Sequence, residues 1–369
     1  MSASSEPPFP RSAQQLSSEW LEARLRARGV LPSGHVGEIH VAPVGEPGLS
    51  SDVVRVTLAA EGQTAVPASL IAKFASVVPA TRDAMRALGQ YGYEVRFYRE
   101  LGDDAGIPLP ACYAAEIDLD SGEFVLLLED LGASRNGDWW QSQVADVETA
   151  LDHLARFHAA WWNSPRLLAL PWLRKPADPS FVLTLGGLYR ALLPIALTRA
   201  SPHLSGYLGD LAQRLAERWE AFCVPRAGAP FTLCHGDFHP KQLFFPTAAG
   251  GRFAVFDWQT VSCGVGSVDV QRILLMGLRP PELFAHQARL LERYRSRLAE
   301  AGIAYDPAQL AHDVRRSMLW TLFAMIISTA TSDRTDVDRA AAALGVDPDE
   351  RFYTDIAAAL EHNRVHELL

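Results

Sequence analysis

The sequence predicts a bilobed α+β fold, in which a small antiparallel sheet with one main helix precedes a larger, mostly helical part. The first third alternates short β-branched segments with Gly, Pro and Ser, whereas apolar residues after about residue 144 recur at helical spacing. The length of 369 residues fits two domains or one large bilobed unit. We expect a boundary near 130–140 and three regions: a helical extension over 1–35, a first lobe over 36–132 and a second lobe over 133–369.

The first part is predicted to contain two helices and five strands. Residues 12–28 suit a helix, because Ser12 and Gln15 fit a capping box and Gly29 fits a C-terminal stop. Residues 80–101 return to helical spacing. The alternating or β-branched segments are the predicted strands: 37–45, 52–60, 66–76, 111–118 and 123–129.

Helices dominate the second part, and two short strands over 231–238 and 252–258 interrupt them. The segments with helical periodicity are 147–162, 183–200, 204–222, 267–277, 281–301, 307–332 and 348–366. A small sheet followed by a large helical region is the order that predicts the bilobed α+β class.

Composition and charge exclude two broad classes. Thirty-four Lys and Arg against 43 Asp and Glu give a formal net charge of -9. A general nucleic-acid binder usually carries a basic surplus, so this balance argues against one. The hydrophobic fraction of 48% is too high for an intrinsically disordered chain.

The cysteines and the hydrophobic stretches bear on the cellular setting. Four cysteines stand far apart with no C-x-x-C pair, so we expect no disulfide framework, no zinc finger, and a reduced, cytoplasmic setting: Cys112, Cys223, Cys234 and Cys263. The first residues lack the apolar segment of a secretory signal. The most hydrophobic stretch, 318–330, is shorter than the ~20 residues that span a bilayer, so we expect no membrane span and interpret it as a buried core helix.

The segment LCHGDFHP is the first candidate for chemistry. His235, Asp237 and His239 alternate, so on an extended strand they would share one face and could bind a metal, as in a metallohydrolase. However, Pro240 interrupts the strand one residue later. A polar turn, in which these side chains satisfy backbone groups, is the structural alternative.

Asp257 points to a different chemistry. It follows the apolar strand residues AVF and comes 20 residues after Asp237. A strand–loop–strand unit would bring both carboxylates to one end of a hairpin. One carboxylate could then accept a proton from a hydroxyl while the other holds a divalent cation, which is the division of labour in phosphoryl transfer.

Lys73 lies in an apolar predicted strand, with Ile71 and Ala75 on its own face. It either protects an edge strand or serves as a phosphate-binding ammonium held by a carboxylate, for which Glu94 on the next helix is a candidate.

A turn between the first two predicted strands could also meet phosphates. Gly45 and Gly48 precede Ser50 and Ser51 there, and such a turn can present backbone N–H groups and hydroxyls, although two glycines are ordinary in a hairpin.

These features occur in one order, and four segments carry a resemblance to a known family: YGYEVRFYREL, FVLLLEDLG, LARFHAAWW and LCHGDFHPKQLFF. The series resembles the aminoglycoside phosphotransferase-like branch of the protein-kinase-like fold, and most closely its ecdysteroid-kinase-like (CHK kinase-like) members. The resemblance covers roughly residues 37–275. It implies ATP and Mg²⁺ as cofactors and a small-molecule hydroxyl as acceptor.

The resemblance implies a role for each matching position in the second part of the chain. Asp237 resembles the catalytic Asp that orients or deprotonates the acceptor hydroxyl, and His235 the structural His of the catalytic loop. Asp257 resembles the metal-chelating Asp. Asp269 resembles the Asp that braces the catalytic loop from the next helix.

For the nucleotide, the resemblance implies that Lys73 holds the α- and β-phosphates and that Glu94 pairs with it. Ser50 and Ser51 would lie over the phosphates. The hinge, where backbone groups meet adenine, would comprise Glu129, Asp130 and Leu131.

One position departs from the family pattern, which usually has Asn five residues after the catalytic Asp as second metal ligand. Here that residue is Gln242. Its carboxamide oxygen sits on a chain one methylene longer and could still bind Mg²⁺. The alternative is a pseudokinase-like nucleotide-binding protein with an impaired metal site.

The acceptor is expected in the helical lobe, where charge is uneven. Residues 163–230 carry 8 Lys and Arg against 4 Asp and Glu, a net +4, whereas 331–369 carry 4 against 9, a net -5. The positive charge of residues 163–230 would repel a polycationic aminoglycoside. The negative charge of residues 331–369 could attract one, which weakens that argument. A sterol-like or other hydrophobic alcohol would suit a pocket of tryptophans that otherwise serve as core: Trp139, Trp140, Trp161, Trp162 and Trp172.

Overall fold

The computed structural model describes residues 9–44, 50–61, 66–138, 142–175, 178–204, 206–224, 228–331, 342, 345, 347 and 349–369. Gly45, Gly48, Trp139 and Trp140, singled out above, lie outside these residues. The chain divides into two compact units. The first comprises Met1–Arg135 with Pro246–Thr260, and the second comprises Asn136–Phe245 with Val261–Leu369.

The first unit is built on a five-stranded antiparallel sheet in the order β1-β2-β3-β5-β4. Its strands are β1 His35–Pro43, β2 Ser51–Glu61, β3 Ser69–Ala75, β4 Cys112–Ile117 and β5 Phe124–Glu129. In β5 every residue except the last is buried, which matches its continuous run of apolar side chains. The β3 strand pairs with both β2 and β5, so the edge-strand interpretation of Lys73 is wrong.

The α-helices found among the described residues of the first unit are α1 Ser18–Ala27, α2 Pro79–Ala87 and α3 Gln90–Glu100. The predicted helix over 80–101 is in fact two helices, because Gly89 adopts a left-handed φ of 71° between them. The predicted helix over 12–28 is likewise interrupted. Only a 3₁₀ turn forms at Ala13–Gln15, and the Ser17 hydroxyl caps α1 by accepting the Trp20 N–H at 3.2 Å.

The second unit is mainly helical, and its helices are α4 Val144–Ala160, α5 Pro165–Ala169, α6 Pro179–Arg199, α7 Tyr207–Glu217, α8 Trp219–Cys223, α9 Ser267–Gly277, α10 Pro280–Glu300, α11 Pro307–Thr331 and α12 Asp355–His362. Helix α4 packs against α9 and α10, and α6 packs against α11. The sheet-bearing first unit and this helical unit confirm the predicted α+β class.

The remaining strands are short: β6 Arg135–Asn136, β7 Thr232–Cys234, β8 Leu243–Phe245, β9 Ala254–Val255 and β10 Ser262–Gly264. The predicted strand over 231–238 ends at Cys234, because Gly236 takes a φ of 86° and turns the chain. The predicted strand over 252–258 ends at Val255, just before Asp257 with a φ of 64°. Both departures from extended backbone fall in the motifs that sequence analysis selected for chemistry.

The segment Pro246–Thr260 belongs to the first unit, although it falls within the region we assigned to the second lobe. Two contacts explain this membership. The Val255 N–H donates to the Pro108 carbonyl at 2.9 Å. The indole of Trp258 stacks on Phe97 of α3 with ring centroids 3.8 Å apart.

The hydrophobic stretch 318–330 forms the C-terminal half of α11, and several of its side chains are fully buried: Met318, Leu319, Leu322 and Ile326. Among the helices of the described residues, α6 alone is long and apolar enough to cross a bilayer by length and composition. Core helices of proteins outside membranes pass the same test, so α6 is weak evidence for a span.

Candidate functional site

The first unit places Lys73 between two carboxylates. The Nζ atom lies 3.0 Å from Oε1 and 2.8 Å from Oε2 of Glu94, and 2.6 Å from Oδ1 of Asp257. Strand β3 supplies the lysine, α3 the glutamate, and the residues after β9 the aspartate. The unit thus gathers three residues that sequence analysis had selected separately.

Backbone and aromatic contacts hold this cluster in place. Glu94 is fully buried, and its Oε1 also accepts the Trp258 backbone N–H at 3.3 Å. Trp258 is stacked on Phe97, one turn after Glu94 on α3. The carboxylates that meet Lys73 are therefore fixed by the core of the unit rather than by flexible surface side chains.

The cluster contains one buried cation, one buried anion and the half-buried carboxylate of Asp257, and the pKa values reflect this. Burial alone would lower the pKa of Lys73, but Asp257 and Glu94 outweigh burial and raise the pKa above its ordinary value. Burial raises the pKa of Glu94, and Asp257 adds to the rise, while Lys73 opposes it. Lys73 is held as an ammonium, and the three groups carry a surplus negative charge when both carboxylates are ionised.

Asp257 adopts a left-handed backbone conformation, with a φ of 64°. This region is uncommon for residues other than glycine, although Asp and Asn enter it more readily than most. Strained backbone of this kind is concentrated at functional sites. The left-handed φ directs attention to Asp257 independently of the sequence motif.

Ser50 and Ser51 lie at the start of β2 and are tied to the same unit. The Tyr91 hydroxyl donates to the Ser50 carbonyl at 2.7 Å. The Ser51 hydroxyl is buried and accepts from Nε2 of Gln259, two residues after Asp257, at 2.8 Å. Both serines are thus fixed by residues neighbouring the Lys73 cluster along the chain.

The predicted hinge residues follow β5. The Glu129 side chain accepts the Ala111 backbone N–H at 3.0 Å and pairs with Arg252. The Asp130 carboxylate accepts from Arg55 at 2.6 Å and from the Ser69 hydroxyl at 2.7 Å.

Both hinge carboxylates are thus engaged within the sheet. Burial would raise the pKa of Asp130, but the hydrogen bonds from Arg55 and Ser69 hold it below its ordinary value. Any nucleotide contact in this segment would fall to backbone groups, including those of the buried Leu131.

The second unit builds a loop after β7 that contains His235 and Asp237. Asp269 at the start of α9 accepts two backbone N–H groups of this loop, from His235 at 2.7 Å and from Gly236 at 2.8 Å. The Asp237 N–H donates to Nδ1 of His235 at 3.3 Å. The buried Asp269 and His235 therefore determine the shape of the loop that carries Asp237.

Asp237 is held at both carboxylate oxygens. Arg272 of α9 donates from Nε to Oδ1 at 2.8 Å, and Nε2 of His239 lies 3.2 Å from Oδ2. Burial would raise the pKa of Asp237, but His239 and Arg272 outweigh it and hold the pKa well below its ordinary value. The carboxylate is ionised over the whole neutral range.

Three residues of the second unit were missed by sequence analysis: His158, Tyr294 and Arg272. His158 of α4 lies with Nε2 3.2 Å from Oδ2 of Asp269 and with Nδ1 2.7 Å from the hydroxyl of Tyr294 on α10. The signal for His158 was a histidine on the buried face of the amphipathic helix that includes LARFHAAWW. Tyr294 and Arg272 are single residues on helices, without a local motif.

The expectation that His235, Asp237 and His239 share one face of a strand is wrong, because the strand ends at Cys234 and the chain turns at Gly236. In the described part of the chain, one group of three potential ligands lies within 4.8 Å: His158, Cys234 and Asp269. Its atoms already hydrogen-bond one another or the backbone, so it is a packing cluster.

Gln242 ends a 3₁₀ turn, Pro240–Gln242, five residues after Asp237. Its backbone N–H donates to the His239 carbonyl at 2.9 Å, and its side chain is half-buried. Of the predicted tryptophans, Trp161 and Trp172 are buried, as core residues are.

The fold and these two clusters define a class of protein, the kinase-like phosphotransferases. A Ralstonia eutropha JMP134 protein assigned to the aminoglycoside phosphotransferases is similar, with 17% identity, coverage of 94% of this chain and 98% of the other, and a TM-score of 0.53. A spectinomycin phosphotransferase solved with ADP and spectinomycin has 13% identity, coverage of 94% and 99%, and a TM-score of 0.51. An amicoumacin kinase solved with AMP-PNP and Ca²⁺ has 16% identity, coverage of 96% and 100%, and a TM-score of 0.50.

At these identities the solved structures show the fold, and a choline kinase from Streptococcus pneumoniae shares it. None of the curated proteins matches the sequence. The model of the phosphotransferase enzyme family (APH) matches residues 43–311. The chain belongs to this family, and the resemblance to aminoglycoside phosphotransferase-like proteins is confirmed.

Proposed function

We propose that the protein is an ATP-dependent O-phosphotransferase that transfers the γ-phosphoryl group to a hydroxyl of a small molecule. The observation that carries this proposal is the charge cluster of the first unit. A buried Lys73 is held as an ammonium by Glu94 and Asp257, and Asp257 has a left-handed backbone. Burying an ammonium costs desolvation free energy, and binding phosphate oxygens would be a functional reason to bury one here.

Asp237 is the proposed catalytic residue. It would accept a hydrogen bond from the acceptor hydroxyl, whose oxygen forms the bond to the γ-phosphorus while the bond to the ADP oxygen breaks. The hydroxyl proton leaves by way of Asp237. His235 and Asp269 support this role because they shape the loop through its backbone N–H groups.

In the first unit, Lys73 would contact the α- and β-phosphates, with Glu94 as its partner. Ser50 and Ser51 would lie over the phosphates. The segment from Glu129 through Asp130 to Leu131 would supply backbone groups to adenine.

Mg²⁺ is the proposed metal, with Asp257 and Gln242 as protein ligands. Their carboxylate and carboxamide oxygens are hard donors of the kind that Mg²⁺ prefers, and the negative surplus of the Lys73 cluster favours a cation. When bound, the ion would neutralise charge on the phosphates. The ADP, AMP-PNP and Ca²⁺ in the solved relatives support a nucleotide and a divalent ion in general.

For the acceptor we propose a neutral or hydrophobic alcohol, sterol-like in polarity, ahead of a polycationic antibiotic. Arg272 lies 2.8 Å from Asp237, so a cationic group beside the reacting hydroxyl would be repelled. The net +4 of residues 163–230 acts in the same direction. The protein would act in the cytoplasm, where ATP is abundant.

Gln242 is the observation that favours a second candidate, a pseudokinase-like nucleotide-binding protein. A longer carboxamide that fails to reach the metal would leave nucleotide binding without turnover. The intact Lys73, Asp257 and Asp237 favour the active enzyme.

The test combines nucleotide binding with turnover. ATP is added with and without Mg²⁺ in a thermal-shift assay, and ATP consumption is measured against a panel of hydroxylated metabolites and antibiotics. An active kinase is stabilised by ATP with Mg²⁺ and consumes ATP with at least one acceptor. Stabilisation without turnover on any acceptor would favour the pseudokinase, and no nucleotide effect would reject both.

The variant Asp237→Asn separates catalysis from binding. It should reduce ATP consumption by about 10³-fold or more while leaving the ATP-induced thermal shift intact, because it removes the proton acceptor and keeps the shape. The matched control is Asp152→Asn. Asp152 also pairs with arginine in the second unit, at 2.7 Å from Arg293, but joins two outer helices. Wild-type consumption by Asp237→Asn would remove Asp237 from the mechanism.

A further inference from the structure

Arg272 makes a contact to the proposed catalytic residue that no sequence motif announces. It lies on α9, three residues after Asp269 and so on the same helix face. Its Nε and one terminal nitrogen each lie 2.8 Å from Oδ1 of Asp237. Helix α9 therefore holds the catalytic loop at two points: Asp269 accepts backbone N–H groups of the loop, and Arg272 donates to the Asp237 side chain.

The donors around Asp237 distinguish its two oxygens. A carboxylate oxygen has two lone-pair sites. Oδ1 accepts a hydrogen bond from Nε of Arg272 and lies 2.8 Å from one of its terminal nitrogens, whereas among the described residues the neighbour of Oδ2 is Nε2 of His239 at 3.2 Å. One lone pair of Oδ2 stays available for an incoming hydroxyl, and 31% of the Asp237 side chain is exposed to receive it.

The guanidinium of Arg272 also contacts a neighbouring helix, α11. Its second terminal nitrogen lies 3.5 Å from the hydroxyl of Thr321 on α11, and that hydroxyl donates to the carboxamide of Gln271 at 2.9 Å. The Arg272 side chain is 16% exposed. A planar fork supported in this way has little freedom, so it can fix the orientation of its partner.

The groups that face Asp237 are Arg272 from α9 and, within its own loop, His235 and His239. His235 accepts the Asp237 backbone N–H through Nδ1. Arg272 supplies the permanent positive charge among these neighbours, because an arginine stays protonated at any pH the protein meets.

We propose that Arg272 is a positioning residue of the phosphotransfer reaction: it holds Oδ1 of Asp237 and so presents Oδ2 as the oxygen that accepts the acceptor hydroxyl's proton. The inference rests on the proposed function. As the nucleophile's O–H bond breaks and its bond to phosphorus forms, the proton moves to Oδ2, and ADP leaves with the electrons of the broken P–O bond. Arg272 itself touches neither nucleotide nor acceptor in this scheme.

The first experiment observes Asp237 directly and needs no acceptor. Protein with ¹³C-labelled aspartate carboxyls is titrated by NMR from pH 3.5 to 8, and the Asp237 signal is identified by its loss in Asp237→Asn. In Arg272→Met this signal should shift at pH 7 and start to protonate at the acid end of the range, where the wild-type carboxylate stays ionised, because the paired cation is gone. In Arg272→Lys the pKa of Asp237 should stay close to its low wild-type value, since lysine keeps the positive charge.

The second experiment measures ATP consumption with Mg²⁺, using water as the acceptor and any acceptor found in the screen. Arg272→Met should lose about 10- to 100-fold in kcat with the KM for ATP unchanged, as expected for lost orientation rather than lost binding. Arg272→Lys should recover part of the loss. The matched control is Arg293→Met, which removes an arginine–aspartate pair elsewhere in the second unit and should change neither signal nor kcat.

The outcomes separate the two proposals. A loss of kcat in Arg272→Met with the Asp237 signal at its wild-type position, or wild-type kcat in that variant, would overturn the role of Arg272. If wild-type protein shows no turnover with any acceptor but the Asp237 signal responds to Arg272→Met as described, the proposed function fails while the hold of Arg272 on Asp237 stands. Thermal melts of each variant, with Arg272→Lys as the milder change, exclude unfolding as the cause.

Discussion

The two charged clusters of the molecule are arranged in opposite ways. In the first unit one ammonium, Lys73, lies between the carboxylates of Glu94 and Asp257. In the second unit one carboxylate, Asp237, lies between the guanidinium of Arg272 and the imidazole of His239. The first cluster has a surplus of negative charge and the second has none.

Under the proposed function, this difference would let one chain prepare the two reactants of the transfer separately. The first cluster raises the pKa of Glu94 by burial and keeps Lys73 charged, so it suits a ligand that brings both anions and a cation, such as Mg²⁺ with ATP. The second lowers the pKa of Asp237, so that residue is ionised before any acceptor arrives. A base with a low pKa orients a hydroxyl and takes up its proton late in the reaction.

The largest effect should come from removing the central cation of the first cluster. Lys73→Met leaves Glu94 buried without its ammonium, and breaking a buried ion pair from one side costs about 3–5 kcal/mol. Urea unfolding measures this loss in the free energy of unfolding. ATP should also no longer raise the melting temperature.

The matched control for Lys73→Met is Arg55→Met. Arg55 pairs with Asp130 at 2.6 Å in the same sheet, but 45% of its side chain is exposed. The Asp130 side chain is 8% exposed but keeps the hydrogen bond from Ser69, and Arg55 itself is half-exposed, so this variant should lose clearly less stability than Lys73→Met. Equal losses in the two variants would show that burial of the cation does not distinguish the Lys73 cluster from a half-exposed pair.

Sequence analysis recovered the residues of both clusters that lie in local motifs. The lysine in an apolar strand and the HGD and FDW segments have neighbours in the chain that make them unusual. The helix at 267–277 was predicted to the residue, because Gly266 and the residues after Gly277 mark its ends.

What the sequence could not give are contacts made by single residues across helices. Arg272 resembles any helix-face arginine until Asp237 is found 2.8 Å away. His158 and Tyr294 meet Asp269 only because α4, α9 and α10 pack together. The break at Gly89 was missed because helical spacing continues on both sides of it, and the central position of β3 depends on strand pairing across the whole sheet.

The pH dependence should distinguish the clusters by sign. In Lys73→Met the pKa of Glu94, already raised by burial, should rise further without its ammonium. A carboxyl with a raised folded-state pKa binds more protons folded than unfolded, so the variant should lose stability as pH rises from about 5 to 8, by at most about 1.4 kcal/mol per unit.

Adding Glu94→Gln to Lys73→Met should remove most of that slope, because the remaining carboxyl of the cluster, Asp257, is 23% exposed whereas Glu94 is fully buried. Asp237 behaves in the opposite way. Its lowered pKa contributes stability that is present above the ordinary Asp value of 3.8 and is lost as pH falls through the folded-state pKa. Urea unfolding at pH 5, 6.5 and 8 checks the sign for Glu94, and wild-type unfolding at pH 4, 3 and 2 checks the sign for Asp237. A flat profile for Lys73→Met between pH 5 and 8 would contradict the account of Glu94.

The smallest effect should come from Gln242→Asn, a change at the second proposed Mg²⁺ ligand. A shorter carboxamide on the same turn keeps the oxygen donor and restores the residue type usual for the family at this position. If Gln242 binds Mg²⁺, the variant should keep or raise kcat within about 10-fold and change the Mg²⁺ concentration that gives half-maximal turnover, because only ligand reach has changed.

Gln242→Leu is the paired variant, since it removes the oxygen at similar size and should demand far more Mg²⁺. If Gln242→Leu and wild type show the same Mg²⁺ dependence, the metal is held without Gln242.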